Sequence, residues 1–336
     1  MLCPYLRSSQ IGNWKTCELQ TILTYVFGFT SKAGAAASGG TCTHKMLELR
    51  ALGSIAKKAG QTSFDYDDWG EIDADWAMDF DKTIDRVYEH QQKVDTHVDW
   101  SKMSKGKVLG WAKKAITDFP QYDPANLNII KVEQYFDIEI KEKWAKYEKE
   151  INGQKIEGYL RLKGTIDCIL DLGDGVYECF DFKTGRRACF STGVEKDLEF
   201  LEKDHQLMFY FYALKHLYPD KEFIMTLYFI NAGGIYSVVG DKKMYENAEK
   251  MIKKTFKEIS GIKHPTLLDK DRKDFRCKYC CEYSKPASFT NGQSVCEFIH
   301  GKIKENGLQA TIEQYADLKK MNNYSGGGKV VTNEAS

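Results

Sequence analysis

The chain has 336 residues, which is enough to bury a full core in one large domain or two smaller ones. With 42% hydrophobic and 29% charged residues its composition is that of a folded protein, which excludes intrinsic disorder. The 48 basic and 48 acidic residues give a net charge of zero, which neither indicates nor excludes nucleic-acid binding because a basic groove can be local. We expect neither secretion nor a membrane span, and hence a cytoplasmic protein in a bacterial or phage-infected cell, because the sequence has no charged-then-apolar leader and no long apolar run.

The first 60 residues are predicted to be helical. Ser8 and Ser9 are predicted to cap a helix through NWKTCELQTILTYVFGF. A small-residue loop, SKAGAAASGG, then leads to a helix over residues 41–58, which Gly60 ends.

Residues 61–128 are predicted to form an acidic insertion, mostly of helices and loops. Its carboxylates concentrate in DYDDWGEIDADWAMDFD, between Asp65 and Asp81. We expect a solvated face; the alternative is an acidic flap that mimics DNA or inhibits the protein.

From Ile129 onward the apolar alternation indicates strands. IIKVEQYFDIEI, EGYLRLKGTIDCILDLG and GVYECFDFKTG are predicted as successive strands, the last two joined by a turn at residues 173–175. The helical run LEFLEKDHQLMFYFYALKHLYP, two strands (EFIMTLYFINAGG and GIYSVVG) and the helix MYENAEKMIKKTFKEIS follow. The order predicts a mixed α/β core, and a helix near residues 310–321 and a flexible tail end the chain.

Two acidic residues and a lysine are placed to share one end of the predicted hairpin. Asp181 and Lys183 alternate with phenylalanines on one strand, and Asp167 lies on the strand before it. Paired carboxylates suit Mg²⁺ or Mn²⁺, and an adjacent lysine can position water or stabilise charge on a phosphate. Taken alone, Asp181 and Lys183 are better explained as an exposed ion pair, with Asp167 as a turn residue.

Further polar residues support a site. His44 lies near the start of a predicted helix with Glu48 one turn later, and a neutral imidazole can bind a metal. Gln206 and Tyr210 are four residues apart on a helix, and Glu133 is a possible additional acid. Each also has a structural explanation, as a buried histidine, an aromatic helix face or a solvent-facing strand residue.

The ordered motifs G-x-x-x-H (from Gly40), G-x-I-D (from Gly164), D-x-K (from Asp181) and Q-x-x-x-Y (from Gln206) resemble the RecB-like branch of the PD-(D/E)xK nuclease superfamily. That branch includes the RecB and AddAB nuclease domains and CRISPR-associated iron–sulfur exonucleases. The resemblance implies a restriction-endonuclease-like core, with a mixed β-sheet flanked by helices, and a DNA exonuclease of recombination, repair or replication.

The resemblance also implies roles for individual residues. His44, Asp167, Asp181 and the main-chain oxygen of Phe182 would bind Mg²⁺ or Mn²⁺. Lys183 would be the catalytic lysine, and Gln206 with Tyr210 would orient that lysine or the DNA backbone. The reaction would be in-line attack of metal-activated water on phosphorus without a covalent enzyme intermediate.

The ten cysteines include a crowded C-terminal group, and a C-x-x-C pair in a cytoplasmic chain indicates metal or redox chemistry. In the resembled family one cysteine before the histidine and three after the core hold an iron–sulfur cluster, which corresponds here to Cys17, Cys277, Cys280 and Cys296. Four thiolates suit [4Fe–4S] or Zn²⁺ equally. Fifteen residues separate the last two, more than is usual in the family, and Cys281 is an alternative ligand.

Two other functions remain alternatives: a nuclease fold that binds DNA ends or a partner protein with little activity, and a C-x-x-C redox protein. A helicase or recombinase partner and a phage origin are compatible with the compact core. The predicted organisation is N-terminal nuclease helices (1–60), acidic insertion (61–128), nuclease core (129–265), cysteine region with a C-terminal helix (266–322) and tail (323–336).

Overall fold

The computed structural model describes residues 3–29, 32–151, 154–188, 193–267, 277 and 281–316. The chain divides into two compact units. Unit 1 consists of the described parts of Met1–Lys32, Asp137–Gly164 and Glu246–Ser336, and unit 2 of those of Ala33–Phe136 and Thr165–Tyr245. Cys280 and the predicted tail over 323–336 lie outside the described residues.

The strands of the described residues form one mixed sheet and two separate hairpins, β2–β3 and β5–β6. They are β1 (Tyr5–Leu6), β2 (Ser63–Tyr66), β3 (Gly70–Asp73), β4 (Ile129–Glu139), β5 (Lys146–Ile151), β6 (Gln154–Tyr159), β7 (Arg161–Gly173), β8 (Val176–Lys183), β9 (Glu222–Phe229) and β10 (Gly234–Val239).

The α-helices of the described residues also follow in chain order. They are α1 (Ser8–Thr16), α2 (Glu18–Tyr25), α3 (Ala35–Lys58), α4 (Ala74–Met78), α5 (Phe80–Val94), α6 (Lys105–Thr117), α7 (Leu198–Glu202), α8 (His205–Leu217), α9 (Lys242–Gly261), α10 (Val295–Asn306) and α11 (Leu308–Tyr315).

The sheet of unit 2 has the order β4–β7–β8–β9–β10. β7 and β8 are antiparallel, β8 and β9 parallel, and β9 and β10 antiparallel. The β7–β8 turn needs left-handed backbone, which Gly173 (φ 85°), Asp174 (φ 49°) and Gly175 (φ 80°) supply. The sheet is mixed and flanked by helices, so the predicted α/β class is confirmed.

The core of unit 2 lies between this sheet and helices α3, α5 and α6. Phe180 and Phe182 are almost fully buried there, with ring centroids 4.8 Å apart. Tyr228 on β9 packs against both rings and donates a hydrogen bond to the carbonyl of Ala115 on α6 (3.1 Å). The two phenylalanines therefore fix β8 firmly, as the alternation of its sequence indicates.

The predicted loop before residue 41 is wrong, because α3 begins at Ala35 and contains Gly39 and Gly40. A Cβ on Gly39 would lie 2.6 Å from Cγ of Met103, and one on Gly40 would lie 2.8 Å from Oγ1 of Thr184. The glycines allow α3 to approach its neighbours closely, and this gain in packing outweighs their low helix propensity.

Two runs predicted as single helices are broken. Cys17 has extended backbone between α1 and α2, and Arg7, not a serine, is the residue that precedes α1. The run from Leu198 is interrupted before Asp204, whose carboxylate accepts hydrogen bonds from the first main-chain N–H groups of α8. Extended Cys17 and Asp204 both act as N-caps, which a helical periodicity alone does not reveal.

Several further features were not predicted, among them strands β1 and β5. The acidic insertion begins with the β2–β3 hairpin, the single strand expected from residue 157 is divided into β6 and β7, and α10 precedes the predicted C-terminal helix. The insertion contributes Tyr66, Ile72 and Phe80 to the core of unit 2. Several of its carboxylates pair with lysines, as Asp81 does with Lys113 (2.7 Å).

Unit 1 has its own connections between distant chain segments. Nε1 of Trp14 on α1 donates a hydrogen bond to Glu258 on α9 (2.9 Å), and the hydroxyl of Tyr283 donates one to the carbonyl of Phe29 (2.6 Å). Leu6 on β1 lies parallel to β7 opposite Leu162. In the part of the chain that the structure describes, no helix has both the length and the apolar character that a bilayer span requires.

Candidate active site

The β7–β8 hairpin brings Asp167 beside the D-x-K motif in unit 2. Cys168 lies opposite Phe180, and Oδ2 of the adjacent Asp167 accepts a hydrogen bond from the main-chain N–H of Phe182 (2.8 Å). The same oxygen lies 3.2 Å from Nδ1 of His44 on α3. Three separate motifs therefore meet at one carboxylate.

Glu133 on β4 joins this pair. One ligand atom from each of His44, Glu133 and Asp167 lies within 4.8 Å of the other two, a spacing that could hold a metal ion. Glu133 has a φ of 44°, and a non-glycine residue keeps such backbone only where its surroundings enforce it. Burial and the charges of Asp167 and Glu48 raise the pKa of Glu133 to about 7.

The histidine and the central carboxylate stabilise each other's charged forms. Burial lowers the pKa of His44, but the charge and hydrogen bond of Asp167, with the charge of Asp181, outweigh it and raise that pKa to about 9. Burial acts to raise the pKa of Asp167, yet His44, Lys183 and the Phe182 N–H lower it overall. The negative charges that retain a proton on His44 would equally attract a divalent cation, which displaces such a proton.

Asp181 belongs to an adjacent polar network. Nζ of Lys183 lies 2.5 Å from Oδ2 of Asp181 and donates to Oε1 of Gln206 (2.8 Å). Nε2 of Gln206 lies within hydrogen-bond distance of Oδ1 of Asp181 (3.0 Å) and the hydroxyl of Tyr210 (3.1 Å). The four residues of the two motifs thus form one chain of contacts.

The carboxylate of Asp181 is only partly satisfied. It is 3% exposed, and its Oδ2 forms an ion pair with Nζ of Lys183 (2.5 Å) but accepts no hydrogen bond from any described residue. The net pKa of Asp181 is raised to about 6. Burial raises it most and the charge of Asp167 raises it further, while the Lys183 ammonium opposes both effects. A buried, incompletely paired carboxylate beside a second one fits a bound cation.

Asp204 is a part of this network that the sequence motifs did not indicate. Its Oδ1 accepts hydrogen bonds from the main-chain N–H groups of Gln206 (2.9 Å) and Leu207 (3.3 Å), which fixes the start of α8. Gln206 is thereby held in the first turn, facing Lys183. An aspartate directly before an apolar helical run is the signal that predicts such a cap.

His44, Glu133, Asp167 and Lys183 line a cavity of about 510 Å³, whereas Asp181, Gln206 and Tyr210 are not part of its lining. Glu48 also lines the cavity, but its carboxylate pairs with Lys45 (2.9 Å). It is not one of the three residues whose potential ligand atoms lie within 4.8 Å of one another. The cavity is large enough to admit part of a substrate. Its lining residues are Ala37, Gly40, Thr41, His44, Lys45, Glu48, Glu133, Asp167, Phe182, Lys183, Thr184 and Gly185.

The predicted cysteine ligands lie in unit 1. Cys17 caps α2, its Sγ accepting a hydrogen bond from the N–H of Gln20 (3.4 Å). Burial raises the pKa of Cys17, and the neighbouring Cys281 and Cys277 raise it further. A hydrogen bond with Cys296 lowers the pKa of Cys281 to about 7. Cys17, Cys277, Cys281 and Cys296 thus affect one another's pKa values, but among the described residues no three of their sulfur atoms lie within 4.8 Å of one another. Cys280 lies outside the described residues.

Comparisons with known proteins identify the family of this chain. A family model described as "PD-(D/E)XK nuclease superfamily" matches residues 8–285. The solved structure described as "Crystal structure of SSO0001" is similar, with 13% sequence identity over 81% of this chain and 91% of that chain and a TM-score of 0.26. No curated protein matches. Because the family match spans most of the sequence, the chain belongs to the PD-(D/E)XK nuclease superfamily.

Proposed function

We propose that this chain is a divalent-metal-dependent deoxyribonuclease, and more specifically an exonuclease of DNA recombination, repair or replication. The observation that carries the proposal is the meeting of His44, Glu133 and Asp167, whose ligand atoms lie within 4.8 Å of one another, in the cavity that Lys183 also lines. Membership in a nuclease superfamily supplies the reaction class.

The cation would be held by His44, Asp167 and Asp181, with the main-chain oxygen of Phe182 as a further ligand and Glu133 as an additional acid. An oxygen-rich donor set with one imidazole suits Mg²⁺ or Mn²⁺. When bound, such an ion supplies Lewis-acid charge to the scissile phosphate and makes a water molecule more acidic.

Lys183 is suited to act as a fixed cation. Burial lowers its pKa, but the negative charges of Asp181 and Asp167 outweigh burial and raise that pKa above its ordinary value. The ammonium group is therefore charged at neutral pH, and Asp181 and Gln206 hold it in place. A charged group fixed beforehand stabilises negative charge that develops on a phosphate oxygen.

Gln206 and Tyr210 would act as positioning residues. The amide of Gln206 contacts Lys183, Asp181 and Tyr210 at once, so its loss would free the lysine without removing any proposed metal ligand. This arrangement assigns substrate orientation to α8 and cation binding to α3 and the hairpin.

We also propose membership in the RecB-like branch, because the four motifs that resemble it come together in unit 2. Its exonuclease members act on DNA, so DNA is the expected partner, and a helicase or recombinase remains a candidate partner protein. A phage origin is part of the same proposal.

A second metal centre is proposed in unit 1. Cys17, Cys277 and Cys296, with either Cys280 or Cys281, would hold a [4Fe–4S] cluster, or Zn²⁺ as the alternative. The mutual effects of Cys17, Cys277, Cys281 and Cys296 on their pKa values support thiolate crowding. The absorption spectrum of anaerobically purified protein decides between them: a broad visible shoulder supports the cluster, and zinc content without it supports Zn²⁺.

Cleavage of end-labelled single- and double-stranded DNA with Mn²⁺ or Mg²⁺ tests the main proposal. Purified wild-type protein is expected to shorten the labelled DNA progressively, and the Asp181→Ala and Lys183→Ala variants are expected to leave it intact. Intact DNA with every divalent metal tried would contradict the proposal and favour a DNA-end or partner-binding role.

A further inference from the structure

Unit 1 contains a second cavity, of about 590 Å³, whose lining combines aromatic rings with lysines. Its walls come from the segment around β5 and from the C-terminal half of α9. The residues that give it this character are Trp144, Lys146, Tyr147, Lys253, Phe256 and Lys257.

Two of these lysines form no ion pair within the described part of the chain. Lys253 and Lys257 are exposed, lie four residues apart on α9, and form no ion pair with any residue that the structure describes. By contrast Lys254, between them in sequence, pairs with Glu258 (3.8 Å) and does not line the cavity. The helix therefore places two lysines that form no ion pair among the described residues along the cavity, one turn apart.

The remaining charges leave the cavity positive. Among the residues that the structure describes, Glu148 is the only acid in its lining, and it pairs with Lys155 outside the cavity at 3.0 Å. Lys146 lies 3.9 Å from Glu157, a distance typical of a weak exposed pair. An anionic occupant would therefore meet an excess of ammonium groups.

The aromatic wall is held in place and partly accessible. Trp144 and Tyr147 are half-buried, and Phe256 is 6% exposed. The indole Nε1–H of Trp144 donates a hydrogen bond to Glu249 on α9 (3.2 Å), which orients the ring. Rings fixed beside lysines are the combination by which proteins hold single-stranded nucleic acids: bases stack and phosphates pair.

We propose that this cavity is an accessory docking site for single-stranded DNA, in which Lys253 and Lys257 bind backbone phosphates and Trp144 stacks on a base. The inference rests on the proposed nuclease function for its choice of DNA as the polyanion. It adds a binding surface on unit 1 that is separate from the metal-ligating residues of unit 2, so binding and cleavage can be tested independently.

The experiment measures fluorescence anisotropy of a labelled oligothymidylate with the full chain over a range of salt concentrations, in chelator so that no cleavage occurs. The Lys253→Ala/Lys257→Ala double variant is expected to bind about tenfold more weakly. A plot of the logarithm of its association constant against the logarithm of the salt concentration is expected to be less steep than that of the wild type by about 1.4. Lys254→Ala is the matched control from the same helix and should retain the wild-type slope.

Trp144 provides a test with a different signature. Trp144→Ala is expected to weaken binding about tenfold while leaving the salt slope unchanged, because stacking releases no counterions. Trp144→Phe should restore most of the affinity. The Trp144 variants and the lysine double variant together separate the contribution of base stacking to DNA affinity from that of phosphate pairing.

Wild-type affinity and slope in the double variant would overturn the inference, as would an equal loss in Lys254→Ala, which would indicate a diffuse charge effect. Failure of the nuclease proposal looks different. In that case DNA stays intact with Mn²⁺, while binding in chelator still depends on Lys253, Lys257 and Trp144.

Discussion

The two candidate metal centres differ in how much of their geometry exists without a metal. In unit 2, Asp167 is held by the Phe182 N–H and by His44, and Lys183 is held by Asp181 and Gln206. In unit 1, the pKa values of the cysteines are set by burial of each thiol, by the charges of neighbouring thiols and by one thiol–thiol hydrogen bond.

This difference indicates which centre should support catalysis and which should support folding stability. A site already ordered by hydrogen bonds and by a core of phenylalanines can lose its cation and stay folded, whereas thiols from distant segments gain their cross-link only from the metal. Substitutions in unit 2 should therefore impair cleavage at constant stability, and substitutions of cysteines should do the reverse.

The largest expected effect is on catalysis by Lys183. Lys183→Ala should lower kcat/KM for DNA cleavage by about 10²–10⁴-fold, because it removes the fixed charge that faces the phosphate. Lys203→Ala, an exposed lysine paired with Glu199 in the same unit, is the control and should keep full activity. A similar loss in both variants would contradict a specific role for Lys183.

The next effect concerns metal affinity at Glu133. Glu133→Gln should weaken Mn²⁺ binding, measured by isothermal titration calorimetry, by at least the roughly 10–100-fold that loss of an outer-shell partner costs. Glu48→Gln should change affinity little, because the Glu48 carboxylate is already paired with Lys45. The opposite ranking would show that Glu48 is the additional acid.

The cysteine centre is tested by stability. Cys17→Ser should lower the free energy of unfolding by about 3 kcal/mol or more if the thiol anchors a cross-link that closes a long loop. Serine can still cap α2 as Cys17 does, so the loss would report on the cross-link alone. Chemical denaturation should show a smaller loss for Cys3→Ser, a buried thiol that donates to the carbonyl of Tyr5; equal losses would remove the case for a metal centre.

The smallest expected effect is on the positioning residues. Gln206→Ala should lower kcat about tenfold with KM little changed, the scale of one hydrogen bond of roughly 1–1.5 kcal/mol, because Lys183 loses one of its two supports. Tyr210→Phe removes only the contact between Gln206 and the hydroxyl and should cost less. Steady-state kinetics that show a larger loss for Tyr210→Phe would reverse the assigned order.

Much of the site could be predicted from the sequence because it depends on local periodicity. The strand alternation of Phe180, Asp181, Phe182 and Lys183 fixes which side chains enter the core, and a tight turn brings Asp167 back beside them. The four-residue spacing of Gln206 and Tyr210 likewise fixes their contact on α8.

The remainder depends on tertiary contacts that no local pattern encodes. The left-handed backbone of Glu133, at φ 44°, accompanies its place beside His44 and Asp167. Gly39 and Gly40 were predicted as loop, yet they lie within α3. Glycine is required there because Met103 and Thr184 leave no room for a Cβ. The residues of the candidate cation site, with Glu133 as a possible additional acid, could therefore be predicted, but the backbone geometry that groups them could not.

The central claim is that the hairpin and α3 build a metal-dependent nuclease centre in a fold that does not need that metal. Its most direct test is cleavage of end-labelled DNA during a Mn²⁺ titration, comparing wild type with Asp167→Ala and recording the thermal unfolding of both. We predict saturable, metal-dependent cleavage by the wild type and none by an equally stable Asp167→Ala protein. Cleavage by that folded variant at the wild-type rate would contradict the account.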